Sequence, residues 1–360
     1  VSARAAASTL AGAVALAATS VFAQQPAPQA PDAAAVFPVT ADIVWIDAVA
    51  VDGSERPVAT LGPEDFAVLD RGERRPILLF RPPDAEATGR SVVFLIEDAL
   101  ARDGHVTWAR DLVSRAASRA AKGDQILLVA PASHVAGSVR LPDAANALRA
   151  ALARVKPHDE LARAANDASE LRRLNESRVD SILAALAALR GHPGPRALVV
   201  LGPPCPYRAD GPFGRAAYER VMRASQLAAA PVYFLEWEVE WGPLAISEPG
   251  PGPEPAGEAL AGVTPVVPTT SLAAPPQIGA LLYERLAEDS GGFATRTHAT
   301  WSWSLGRVYE RARAGYLLGI PSGPESQDGR YHPLEVRVAR GGVKLYSRKG
   351  YFAPKADGHP

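Results

Sequence analysis

The sequence predicts an α/β protein: a doubly wound, mainly parallel sheet, joined to a β-sandwich built by the strands at the two ends of the chain. Three observations predict it. Short apolar runs at 92–96, 125–130, 197–201 and 232–237 alternate with amphipathic helical stretches, the pattern of βαβ units. The flanking segments, 39–80 and 316–351, instead alternate apolar and polar residues in twos, which is the strand period. Neither flanking group has enough strands to bury a core alone, so the economical arrangement is one sandwich shared by both.

The elements follow in order. Across 39–51, Ile43, Trp45 and Asp47 oppose Val44, Ile46 and Ala48. Asp52-Gly53 is a turn, and 66–69 with 76–80 form a strand pair around Arg71-Gly72. The run 92–96 is continuously apolar, as a strand covered on both faces must be. It is expected at the centre of its sheet, with 125–130 and 197–201 beside it and 232–237 beyond. Helices are predicted near 106–121, 143–155, 160–190 and 215–229, the third with Ile182, Leu183, Leu186 and Leu189 on one face. Residues 242–279 are rich in Pro and Gly, lack periodicity and read as an insertion. A helix at 278–289 stops at Gly291-Gly292, a C-cap signal. Another covers 303–314, and strands return at 316–320, 331–339 and 343–351 around Gly341-Gly342.

Bulk properties narrow the function. The chain has 360 residues, 47% hydrophobic and 21% charged, which suits a packed globular protein. A net charge of −1 gives no electrostatic case for nucleic acid or an acidic membrane surface. Arg4, the apolar run 10–22 and Ser20-Val21-Phe22-Ala23 read as a secretory signal cleaved after Ala23. The product is expected to be secreted or periplasmic, with no membrane span after cleavage. The domain plan is then a signal peptide (1–23), a Pro/Ala-rich spacer (24–36), the sandwich (37–88 with 315–354) and the sheet-and-helix domain (89–314). The single cysteine, Cys205, permits no internal disulfide. Phosphate-loop, His-Glu-x-x-His and Gly-x-Ser-x-Gly motifs are missing, and no cofactor is expected.

The most informative stretch is 91–101, where the apolar strand ends on Glu97-Asp98. In open α/β sheets ligands sit at the carboxyl ends of strands. The stretch resembles the first strand of a von Willebrand factor A (vWA) domain. Further fragments resemble the acidobacterial-type family of secreted vWA-related proteins: Leu61-Gly62-Pro63-Glu64-Asp65-Phe66, Leu286-Ala287-Glu288-Asp289-Ser290-Gly291-Gly292, Tyr316-Leu317-Leu318-Gly319 and Lys349-Gly350-Tyr351-Phe352-Ala353-Pro354. Together they cover nearly the whole chain after the signal.

The resemblance implies a site that has lost its metal. An Asp-x-Ser-x-Ser motif is replaced by Glu97, Ala99 and Ala101. A Thr-bearing loop is replaced by Leu174-Asn175-Glu176-Ser177, and a Ser-Asp-Gly triplet by Gly202-Pro203-Pro204. The vestigial rim is therefore Glu97, Asp98, Ala99, Ala101, Ser177, Gly202 and Pro203, with Glu97 and Ser177 the remaining oxygen donors. That is too few for a preformed magnesium cage. Asp98 is expected to be solvated, His105 to begin a helix in water, and Cys205 to be an incidental loop residue. Trp301 and Trp303 are expected to cover the core under the last helix.

These readings favour an exported, non-enzymatic binding module for an unidentified protein or envelope ligand. The rival from another class is a cryptic enzyme using Glu97 and Asp98 as an acid–base pair, with Cys205 beside them. A structural component of the cell envelope is the third reading.

Overall fold

The computed structural model describes residues 43–83, 89–142, 144–164, 167–192, 194–238, 281–296, 298–322 and 328–353. The predicted signal peptide, spacer and 242–279 insertion lie outside the described residues. In chain order the strands are β1 (Ile43–Val51), β2 (Phe66–Asp70), β3 (Glu73–Arg75), β4 (Leu79–Arg81), β5 (Ser91–Ile96), β6 (Gln125–Ala130), β7 (Val135–Arg140), β8 (Arg196–Gly202), β9 (Val232–Glu236), β10 (Ala294–Thr295), β11 (Gly315–Pro321), β12 (Tyr331–Val338), β13 (Lys344–Ser347) and β14 (Gly350–Phe352). The helices are α1 (Asp103–Ser118), α2 (Ala145–Arg154), α3 (Glu160–Ala164), α4 (Ala168–Leu189), α5 (Pro212–Ala228), α6 (Leu282–Ser290) and α7 (Trp301–Arg313).

All six residues of β5 are buried because its alternate side chains feed two different cores. Val92, Phe94 and Ile96 pack with α1, α2 and α7 on one face. Val93 and Leu95 pack with α4, α5 and α6 on the other. The sheet runs β10-β9-β8-β5-β6-β7. β5 pairs in parallel with β6 and β8, β8 with β9, and β9 with β10. The one antiparallel pair is β6–β7 at the edge. The central position of 92–96, its two expected neighbours and 232–237 beyond one of them hold.

The strand expected at 343–351 is two, β13 and β14, which join different sheets, and the short β10 is not predicted; three further differences concern β7, α4 and β2. β7 was not anticipated: it reads Val-Ala-Gly-Ser-Val-Arg and buries only Val135, so it carries little hydrophobic signal. The single helix expected over 160–190 is two, because Asp167 accepts the backbone N–H groups of Ser169 and Glu170 and starts α4 afresh. The partner of β2 is the polar β3, not 76–80. Pro76 follows β3 and has no N–H to extend the ladder, and β4 crosses to pair with β11 instead.

The chain ends build two antiparallel sheets, β13-β1-β11-β4 and β14-β12-β2-β3, each mixing strands from both ends. Ile43 to Val49 pair with Pro321 to Gly315, and Phe66 to Asp70 with Val338 to Leu334. They share one core: Val44, Ile46 and Ala48 from the first sheet meet Phe66, Val68 and Leu334 from the second. The hydroxyl of Tyr316 in that core donates to the Val58 carbonyl (2.7 Å) and accepts the Leu61 N–H (3.1 Å), so its burial leaves no polar atom unmet.

At the other end of the prediction, Gly291 caps α6 with φ of 91°, as its sequence position suggested. Trp301 is buried, but Trp303 is 61% exposed and lies against Arg307 rather than over the core. Helical spacing puts residues 301 and 303 about 200° apart, so both cannot face inward.

Replacing Ile46, which is fully buried, by Ala is expected to cost about 2–4 kcal/mol in urea denaturation. Leu227→Ala, at a side chain 63% exposed, is expected to stay within about 0.5 kcal/mol of the parent.

Candidate functional site

The site is assembled where β5 and β8 end and α4 packs across them. α4 buries a stripe of Leu171, Leu174, Asn175, Arg178, Val179 and Ile182. This is the i, i+3, i+4, i+7 spacing of a core-facing helix. Arg178 falls on that stripe, so the helix drives a guanidinium into the sheet end instead of an aliphatic side chain.

Its partner is Glu97. Arg178 Nε donates to Glu97 Oε1 (3.0 Å) and Nη2 to Oε2 (2.7 Å), a bidentate pair. Nη2 also donates to the Pro203 carbonyl. Nη1 donates to Asn175 Oδ1 (2.9 Å) and, at 3.4 Å, to the Pro204 carbonyl. Every one of the five guanidinium N–H donors thus meets an acceptor. The face of the group lies 4.8 Å from the ring centroid of Tyr283. The hydroxyl of Tyr283, from α6, donates to Glu97 Oε1 (3.1 Å). Asn175 is held in turn by its Nδ2, which donates to the Leu171 carbonyl (2.8 Å).

Glu97 is 4% exposed and Arg178 5%. Taking two charges out of water is costly, and only full hydrogen bonding makes such a pair sustainable. Burial works against the charge on Arg178, but the adjoining carboxylate outweighs it and holds the guanidinium above its ordinary range. Gly202 is part of the fit: a Cβ there would overlap the Glu97 carboxylate. The two prolines that follow present their carbonyls to the guanidinium.

The remaining predicted rim residues divide. Asp98 is fully buried, not solvated, and accepts the backbone N–H groups of Ala132 (3.1 Å) and Ser133 (2.7 Å), tying the turn after β6 to the end of β5. Ala99 lines a cavity of about 240 Å³ over Glu97 and Asp98, together with Ser177 and Arg173. Ala101 turns away into the core with Ile96 and Val106. Ser177 sits inside α4 and is exposed. The stretch matched to the Thr-bearing loop is helical, within the helix that the periodicity predicts over 160–190. The oxygen pair foreseen from Glu97 and Ser177 is therefore replaced by Glu97 and Arg178.

Cys205 is 1% exposed, and burial pushes its thiol up to about 12, so little nucleophilic thiolate forms near neutral pH. His105 stacks on Trp237 at 4.8 Å and accepts the Arg102 N–H at Nδ1 (3.3 Å). Among the described residues no group of three His, Cys, Asp or Glu side chains could hold a metal ion.

Sequence reading missed Arg178 and Glu236. For Arg178 the signal was present: it lies four residues before Ile182 on the predicted apolar face. Glu236 ends β9, in register with Gly202, and is 3% exposed. Burial pushes its carboxyl up to about 8, with Arg178 opposing and Glu284 and Glu97 adding to the rise. The sign that could have revealed it is an acid ending the run Val-Tyr-Phe-Leu.

No family model and no curated protein matches the chain. Among solved structures, proximal thread matrix protein 1 from the mussel byssus (crystal form 2) aligns with a TM-score of 0.33 and 10% identity, over 62% of this chain and 48% of that one. The chain spans about half the length of that structure, and a likeness of this degree carries no argument about fold or function.

Gly202→Ala is expected to destabilise the protein by roughly 1–3 kcal/mol in urea denaturation, since Glu97 is pinned and cannot move aside. Glu236 gives a pH signature. Between about 4.5 and 8 the unfolded chain has released this proton and the native protein has kept it, so stability falls as pH rises. Relative to Glu236→Gln, the parent is expected to lose up to about 1.4 kcal/mol per pH unit across that window. Parallel stability profiles for the two proteins would count against it.

Proposed function

We propose that the chain is an exported binding module on a vWA-type scaffold whose metal ion is replaced by a guanidinium of its own. The observation that carries this is the position of Arg178 at the end of β5. All five of its donors are spent on Glu97, Asn175 and the two proline carbonyls after β8. A cation bound there would meet a positive charge and no free carboxylate oxygen pair. The cavity of about 240 Å³ beside the ion pair, with Arg173, Glu160, Ser177 and Ser181 on its walls, gives a polar surface for an unidentified protein or envelope ligand. Recognition at this rim is then independent of divalent cations.

The enzyme reading draws less support. Acid–base work needs a carboxyl free to exchange a proton with substrate. Glu97 is held by Arg178 and Tyr283, and Asp98 by two backbone N–H groups. Glu236 has the raised proton affinity of a general acid but does not line this cavity.

Calorimetry with magnesium, manganese and calcium is expected to show no site tighter than about 1 mM. Affinity capture on the mature protein from periplasm or culture medium is expected to recover the same partner with and without chelator. A one-to-one metal isotherm abolished by Glu97→Ala, or loss of the partner in chelator, would overturn the reading.

A further inference from the structure

We propose that the cavity between the amino-terminal edge of the parallel sheet and the β1–β11 sheet binds a small organic acid, its carboxylate held by Arg311 and Arg196 and its apolar body by Trp45 and Leu227. The cavity measures about 390 Å³ and lies at the opposite ends of β8 and β9 from Glu97. Its size is that of an ordinary small-molecule site, roughly 300–1,000 Å³.

Arg311 carries the argument. It projects from α7, is 4% exposed and lines the cavity. Neither Nη1 nor Nη2 has a hydrogen-bond partner among the described residues. The guanidinium carbon lies 3.6 Å from the ring centroid of Tyr346 and 5.1 Å from that of Phe293. Stacking engages the faces of a guanidinium, whereas its donors point outward in its plane. Apart from an approach to the Tyr233 hydroxyl, the contacts that hold Arg311 therefore leave its donating edge unspent among the described residues.

The surrounding charges do not satisfy it. Arg81, Arg196 and Arg311 line the cavity with one carboxylate, Asp47. Burial raises the Asp47 carboxyl above its ordinary range, against the opposing charges of Arg348, Arg196 and Arg81. The groups acting on Arg311 are Tyr233, Arg307, Tyr346 and Glu55, and burial with the like charge of Arg307 lowers its proton affinity. Arg196 Nε is likewise without a partner among the described residues. Buried donors without acceptors are costly, and a bound anion removes that cost.

The rest of the lining selects the kind of anion. Trp45 is 43% exposed and Leu227 63%, and both sit on the cavity with Leu317. A bare inorganic anion would use the guanidinium edges and leave this apolar wall wet. A carboxylate on an aromatic or aliphatic body uses both, and its planar oxygens match a guanidinium fork.

The test is calorimetry on the full chain with phenylacetate, octanoate, 2-phenylethanol and inorganic phosphate. At least one of the two acids is expected to bind one-to-one, at least about tenfold more tightly than the alcohol or phosphate. Arg311→Met is expected to weaken that acid at least about tenfold while keeping a cooperative melt. Arg196→Gln provides a second variant, at a less buried position, with a loss in the same direction. The proposal is overturned if neither acid binds saturably, if alcohol or phosphate binds as well as the acid, or if the folded variants bind like the parent. Metal titration and chelator have no bearing on this site, so its failure and that of the strand-end reading are distinguishable.

Discussion

Glu97 is a carboxylate at the carboxyl end of the central strand of a sheet covered on both faces, with almost no water to solvate it. The neighbouring elements are arranged around that charge. α4 brings Arg178 on its buried stripe, β8 stops at a glycine so that the carboxylate has room, and the following prolines offer two carbonyls to the guanidinium. α6 adds the Tyr283 hydroxyl. Two helices and two strands from separate parts of the chain are registered by one ion pair. Removing either partner would strand a buried charge, which is why such pairs constrain structure more than they stabilise it.

The parallel sheet leaves chemistry only at its two ends. Helices seal its faces, so polar groups collect where strands begin and stop. β8 starts at Arg196, beside the cavity of about 390 Å³, and stops at Gly202, beside Glu97. The two ends differ in one decisive respect. At the carboxyl end the buried guanidinium has every donor matched. At the amino end Arg311 has aromatic rings on its faces and, among the described residues, two amino groups without acceptors. One arginine completes an internal structure, and the other is left with capacity for something external.

Much of the architecture was legible because it depends on local periodicity. β5, β6, β8 and β9 are continuous apolar runs between amphipathic helices, and β1 buries every second residue from Val44 to Ala50, so their existence and order could be read directly. β7 could not, since this edge strand turns only Val135 and Val139 toward the core and carries too little of such a pattern. The break before α4 could have been read from Asp167 and Ser169, a capping pair placed within a long helical pattern. The site was half legible. Glu97 stood out as an acid ending an apolar strand, but its partner lies 81 residues away. Pattern reading identifies the faces of a helix and not what each face meets. Asp98 failed for the same reason: the N–H groups it holds belong to a turn 34 and 35 residues further on.

The most direct test of this account is a double-mutant cycle at Glu97 and Arg178, using Glu97→Gln, Arg178→Met and the pair, each unfolded in urea at neutral pH. If the guanidinium fills the role of the ion, the two residues act as one unit, and their coupling energy should exceed about 2 kcal/mol. A coupling below about 0.5 kcal/mol, the additivity of independent sites, would contradict the account.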